Sequence, residues 1–269
     1  MSFKSAVNRA TDNRALQRVA RAGYLISGTL HLLIAVIIVR LALGSGGEAD
    51  QAGALATLAN RPGGTATLYV VTAGLVALAM WRLSESVLGL HPAEHSDAHK
   101  RESPIVHRLK AFGLAFVYGA VALTAIQFAL GAQTRGSRQT AGVSARLMQS
   151  GAGKAVLVVV GLVIVVIGGY YARKGVSRKF LNDLNVTGGR LITALGVCGH
   201  IAEGLVLSAV GISVIVATFL EDPTKASGLD GAVKALGSTR FGGAILIAAA
   251  VGFAAYGLYS LALTRYSRM

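Results

Sequence analysis

Within the apolar run from Val197 to Leu207, His200 and Glu203 stand three residues apart. That spacing puts both on one helix face, where they could share a proton, hold a cation or pair with a basic side chain. His31 lies in a second apolar run, and Arg82 and Glu85, also three apart, close a third beside Trp81. A haem needs two imidazoles on opposite sides of one iron at matched depth, and His31 and His200 would be the pair. In His91-Pro-Ala-Glu-His-Ser-Asp-Ala-His99 the histidines recur every four residues, so His95 and His99 would share a face as a possible zinc pair. That run lacks the apolar residues that would fix it, and Ser103-Pro104 follows, so it reads as a solvated loop and no metal is assigned. No Ser-His-Asp set, phosphate-binding glycine loop or suitably placed carboxylate pair is found. The chain therefore reads as non-enzymatic, with no cofactor.

The elements that hold these residues follow from composition. The 269-residue chain is 53% hydrophobic and only 14% charged, with a mean hydropathy of +0.58; an ordinary soluble domain has about 25% charged residues. Apolar residues gather in six blocks, Ala22–Leu43, Thr67–Trp81, Leu109–Leu130, Ala155–Tyr171, Leu191–Phe219 and Phe241–Leu263, each comparable with the roughly 20 residues that cross a bilayer. One such block could be the buried helix of a soluble protein, but six in series indicate an all-α integral membrane protein. The N-terminus lacks the order of a cleavable signal peptide, so the first span is expected to act as targeting signal and anchor. The single cysteine, Cys198, excludes an intrachain disulfide. The net charge of +14 comes from short connectors rather than a basic patch interleaved with aromatics, which excludes nucleic acid and favours anionic lipid headgroups.

With six spans, 17 of the 26 Lys and Arg residues fall on the side that holds both termini, which the positive-inside bias makes cytoplasmic. The third connector runs against that bias, carrying Arg135, Arg138, Arg146 and Lys154 without an acid. All four prolines, at 62, 92, 104 and 223, lie in connectors, so the spans should be unbroken helices.

Internal repetition organises the spans. The segment from Arg21 to His31 overlays that from Val197 to Leu207 without a gap, Gly23 on Gly199 and Gly28 on Gly204, and Tyr118 falls near the place of His31. Gly74 to Trp81 echoes Gly252 to Tyr259. Three parallel two-helix repeats follow, for which a pseudo-threefold axis along the membrane normal is the natural arrangement. The expected organisation is a basic tail over 1–14, repeats over 15–90, 107–184 and 188–269, and a His-rich linker over 91–106. The repeats resemble the bacterial membrane family designated domain of unknown function 1206. Its opening motif, Arg-x-Gly-Tyr-x-x-Arg-Gly-x-x-Tyr, is matched by Arg21, Gly23, Tyr24 and Gly28, while Ser27 and His31 depart from it. Its Lys-Gly-x-x-Arg-Lys-Phe-Leu-x-Asp-Leu run is matched from Lys174 to Leu184. The resemblance implies six helices and no activity.

If Arg21 marks the membrane edge, Val197 marks it in the third repeat, and at about 1.5 Å per residue Glu203 lies about 9 Å deep, His200 about 5 Å and His31 about 15 Å. The unequal histidine depths disfavour haem. Glu203 and His200 are then expected either to pair structurally with Arg82 or Arg173 or to line a vestibule. Trp81 with Arg82 and Glu85 should anchor at the headgroups. Val176, Phe180 and Leu184 recur every four residues between Lys174, Arg178 and Lys179, which reads as an interfacial amphipathic segment that binds lipid or a membrane-protein partner. Gly23, Gly28, Gly199 and Gly204 are expected to pack helices.

The leading expectation is a structural or interaction component of the bacterial envelope, in the inner membrane. A small-solute or ion channel or transporter along the threefold axis is the alternative, and a haem redox protein the third. Reporter fusions at both termini and within 91–108 should all report the cytoplasm. An external 91–108 connector would invert the topology.

Overall fold

A computed structural model describes residues 14–88, 104–132, 136–184 and 189–266. The His91–His99 run, most of the 91–106 linker and Arg135 lie outside them. The described residues form nine α-helices and two short 3-10 turns. The long helices are α1 (Arg14–Ala42), α3 (Gly64–Leu88), α4 (Pro104–Ala129), α6 (Gly151–Val176), α7 (Arg190–Phe219) and α9 (Gly242–Tyr266). All six are long and apolar enough to cross a membrane. Their outward faces suit lipid: Phe116, Val166 and Val251 are 73%, 71% and 58% exposed.

Each repeat has an element that the apolar pattern does not reveal. Between its two spans lies a short helix: α2 (Gln51–Ala59), α5 (Gly136–Met148) or α8 (Gly228–Gly237). Asp50 caps α2, its Oδ1 accepting from the Gly53 N–H at 2.8 Å. Asp230, in the first turn of α8, accepts from the Ala49 N–H at 2.9 Å and pairs with Lys234 at 2.7 Å. Helix α5 touches both α2 and α8, so the three form a cap at the bundle end opposite the chain termini.

The spans meet mostly between repeats. The second span of one repeat packs on the first span of the next, as α3 on α4 and α6 on α7, and α9 returns to α1. Spans also pack within the first and third repeats, whereas α4 and α6 of the second barely touch. The bundle is therefore an open ring running α4, α3, α1, α9, α7, α6.

Glycine sets the closest approaches. On α6 and α7, Gly161 faces Gly211 and Gly168 faces Gly204, and a Cβ added at Gly168 would lie 2.6 Å from the Gly204 carbonyl oxygen. Gly28 and Gly257 meet the same way on α1 and α9, where an added Cβ at Gly28 would stand 2.8 Å from the Gly257 carbonyl oxygen. Gly23 lies against Leu78 of α3, and Gly199 against the Tyr256 backbone. The α3–α4 joint uses alanine instead: Ala111, Ala115, Ala122, Ala125 and Ala129 are all buried. Small residues serve because lipid offers apolar helices no hydrophobic drive to associate, so dispersion at short range must hold them together.

Two outcomes follow. Gly168→Val should force α6 from α7 and cost about 1–3 kcal/mol, read as a lower Tm in detergent; Gly169→Ala, whose added methyl meets nothing within 4 Å, should not. In the cap, burial first, then the Glu48 and Asp230 charges, raise the Asp50 carboxyl to about 6, against the Gly53 N–H and Lys234. The folded protein thus holds the Asp50 proton more tightly than the unfolded chain does. The linked stability is complete below the ordinary carboxylate range and is lost as pH rises through about 6. Tm should therefore rise between pH 7 and 5, and Asp50→Asn should flatten that rise.

Candidate functional site

Polar side chains from α1, α3, α4, α6, α7 and α9 converge at the half of the bundle nearer the termini. His31 on α1 places Nδ1 2.8 Å from the Ser27 carbonyl oxygen. A carbonyl only accepts, so Nδ1 carries the hydrogen and Nε2 is the free lone pair of the neutral ring. That Nε2 lies 3.7 Å from Glu203 Oε1 on α7. The gap exceeds a direct hydrogen bond, and the two groups face each other across helices. Both side chains keep only slight exposure, 13% and 15%. Glu203 Oε2 is buried and meets no hydrogen-bond partner in the protein.

Aromatic rings wall this pair. Tyr256 and Phe253 of α9 stand 4.8 and 5.8 Å from the His31 ring. The Tyr256 hydroxyl pairs with Tyr171 of α6. Tyr256 also reaches His200 at 5.3 Å.

His200 itself is boxed. Its Nδ1 is held 2.8 Å from the Gly196 carbonyl. Phe180 stacks on it at 4.9 Å, and Tyr171 and Tyr259 flank it at 5.9 and 5.1 Å. The Tyr256 ring thus touches both imidazoles.

Several expectations change at this point. Glu203 pairs with neither Arg82 nor Arg173. Arg82 Nη1 binds Glu85 Oε2 at 2.7 Å, its Nη2 donates to Tyr24 Oη at 2.9 Å, and Arg173 is exposed. Glu203 meets His31 although counting along equivalent helices set them about 6 Å apart in depth. Counting assumes equal helix heights and ignores side-chain reach, and both fail when long side chains meet across crossing helices. His200 and Glu203 share a face, yet one enters the aromatic box and the other meets His31. Trp81 is fully buried in the protein, its indole N–H donating to Glu85 Oε1 at 2.9 Å, so its ring is not presented to lipid.

The run from Lys174 to Leu184 does not present one amphipathic face. Helix α6 ends at Val176, and Arg178 turns the chain with a left-handed φ of 54°. A 3-10 turn over Lys179–Asp183 then sends Phe180 and Leu184 under the bundle, both fully buried, while Val176 is exposed. The Tyr259 hydroxyl donates to the Phe180 carbonyl at 3.2 Å. Arg178 and Lys179 stay exposed. The tyrosines at 171, 256 and 259 are site residues that motif reading passed over, while Tyr24 and Tyr118 entered it only as repeat positions. Their signal is a phenol within an apolar span, since each hydroxyl must find a partner when buried.

The model of the family described as Domain of Unknown Function (DUF1206) matches this chain three times, over residues 22–89, 109–178 and 198–267. The chain belongs to that family. Each match spans one helix, short helix, helix unit, so the polar site and the far cap are built jointly by the three family repeats. A Bacillus subtilis (strain 168) protein titled "Uncharacterized protein YxxB" is 27% identical over 260 residues, covering 94% of this chain and 92% of that protein. No solved structure matches the chain.

Proposed function

We propose that this protein is a non-enzymatic channel or transporter of a bacterial plasma membrane, with both termini cytoplasmic, that takes up a proton or small cation at Glu203 and His31. One observation carries this reading: a carboxylate within a span faces a titratable imidazole, and its second oxygen has no partner. An arginine partner would fix the charge permanently. A histidine partner lets the pair pass between neutral and ionic forms with the movement of one proton. A buried, unpartnered carboxylate oxygen is costly, and a proton or cation relieves that cost.

The three inter-repeat joints suit the pseudo-threefold axis, and the gap between α4 and α6 suits a path that leads inward past Tyr118 and Tyr171. A purely structural role is favoured at a neighbouring place, the Arg82–Glu85 pair. There Glu85 answers both Arg82 and the Trp81 indole, and Arg82 also donates to Tyr24 across helices. That clasp ties α3 to α1.

Liposomes holding a pH-sensitive dye test the proposal. Wild-type protein should admit protons or a small monovalent cation above the protein-free background. Glu203→Gln, with the same shape and no basic oxygen, should lower that flux at least about tenfold, a change of about 1.4 kcal/mol, with Tm little changed. Equal flux in wild type and Glu203→Gln would reject the site. Absence of flux in both, joined to a clear drop in Tm, would return the pair to a structural role.

A further inference from the structure

At the bundle end away from the termini, a groove of about 650 Å³ opens where α5, α7 and α8 meet. Its floor includes Ile212 and Val216, one turn apart on α7 and 53% and 44% exposed. They continue the membrane-facing apolar surface of that span. Arg138, Lys225 and Lys234 line the same groove with Asp230 as its only acid. Asp230 is already committed, Oδ1 to the Ala49 N–H and Oδ2 to Lys234. Lys225 has only a loose neighbour, Asp222 at 3.6 Å, on an exposed turn. Arg138 meets no acid among the described residues.

The groove thus joins Arg138, which no acid answers among the described residues, and the loosely paired Lys225 to an apolar floor on a spanning helix. It also gives a use to part of the third connector, whose basic residues oppose the charge bias of the topology. Lys154 of that connector is answered by Glu221, whereas Arg138 is left facing the groove.

We propose that this groove seats an anionic phospholipid of the adjacent leaflet, its phosphate over Arg138 and Lys225 and one acyl chain along Ile212 and Val216. Basic pockets beside spanning helices hold anionic headgroups in this way. The apolar floor decides for a lipid over a free anion, because a soluble phosphate gains nothing from Ile212 and Val216. This site stands apart from Glu203 and His31 and does not depend on their role.

Full-length protein in a neutral detergent, titrated with phosphatidylglycerol and followed by native mass spectrometry and thermal shift, tests the proposal. Wild type should retain a tightly bound phosphatidylglycerol and not phosphatidylcholine. Arg138→Gln with Lys225→Gln should weaken that retention at least about tenfold. These two positions avoid Lys234, whose loss would strand Asp230. Arg138→Lys should keep most of the binding, and the Tm of each variant without lipid should match wild type. The proposal is overturned if the double variant retains phosphatidylglycerol as wild type does, or if phosphatidylcholine binds equally well. It is also overturned if glycerol 3-phosphate protects as strongly as the lipid, since the site would then belong to a soluble anion.

Discussion

The contact on which the rest of this structure depends is the approach of one helix backbone to another at glycine. In a bilayer, apolar side chains gain nothing by leaving lipid for each other, so association rests on dispersion at short range and on polar contacts. Gly161 with Gly211, and Gly168 with Gly204, bring α6 and α7 together over two turns, and Gly28 with Gly257 does the same for α1 and α9. These joints lie between repeats, which is why no single repeat could bury its own face. They also fix the site: Gly204 adjoins Glu203 in sequence, and Gly28 precedes His31 by three residues. The two side chains meet because the backbones beneath them are pressed onto neighbouring helices.

Close packing in turn makes the interior polar groups demanding. A tyrosine or histidine caught between such helices cannot turn to water, and most take a fixed partner within the protein. Both histidines use the carbonyl four residues earlier on their own helix, at 2.8 Å, which settles their tautomer and aims Nε2 outward from the helix. Tyr259 uses the Phe180 carbonyl, and Arg82 uses Glu85 and Tyr24. Among the buried side-chain atoms of the described residues that meet no hydrogen-bond partner, the second oxygen of Glu203 is the one carboxylate oxygen.

Much of the frame was legible in the chain. Six apolar blocks, connector prolines and the overlay of Gly23 on Gly199 and Gly28 on Gly204 led to six helices in three repeats, because span length and repeat period are local properties. The short helices α2, α5 and α8 were not legible. They are only 9, 13 and 10 residues long, and they are held by contacts distant in sequence, such as Asp230 to the Ala49 N–H. The burial of Phe180 was hidden for a related reason. A four-residue period was read as a continued helix, while the chain turns at Arg178, where a non-glycine residue takes a left-handed φ that no pattern announces. Glu203 and His31 were both singled out, but their partnership crosses repeats, and counting along one helix cannot show it.

The repeat overlay adds a last step. Setting Gly28 on Gly204 places Ser27 opposite Glu203, the position where the family's opening motif has arginine, and His31 stands where that motif has tyrosine. In space these departures are one feature. The Ser27 carbonyl holds His31 Nδ1 at 2.8 Å, and His31 Nε2 faces Glu203 at 3.7 Å. A permanent cation at position 27 would lie one turn from His31, and on the third repeat it would replace the very carboxylate. By carrying a small neutral residue at one of these equivalent positions and an acid at the other, the chain leaves the imidazole as the titratable partner of Glu203. The glycines keep the repeats alike enough to pack as one bundle, and the residues beside them differ enough to make its interior asymmetric.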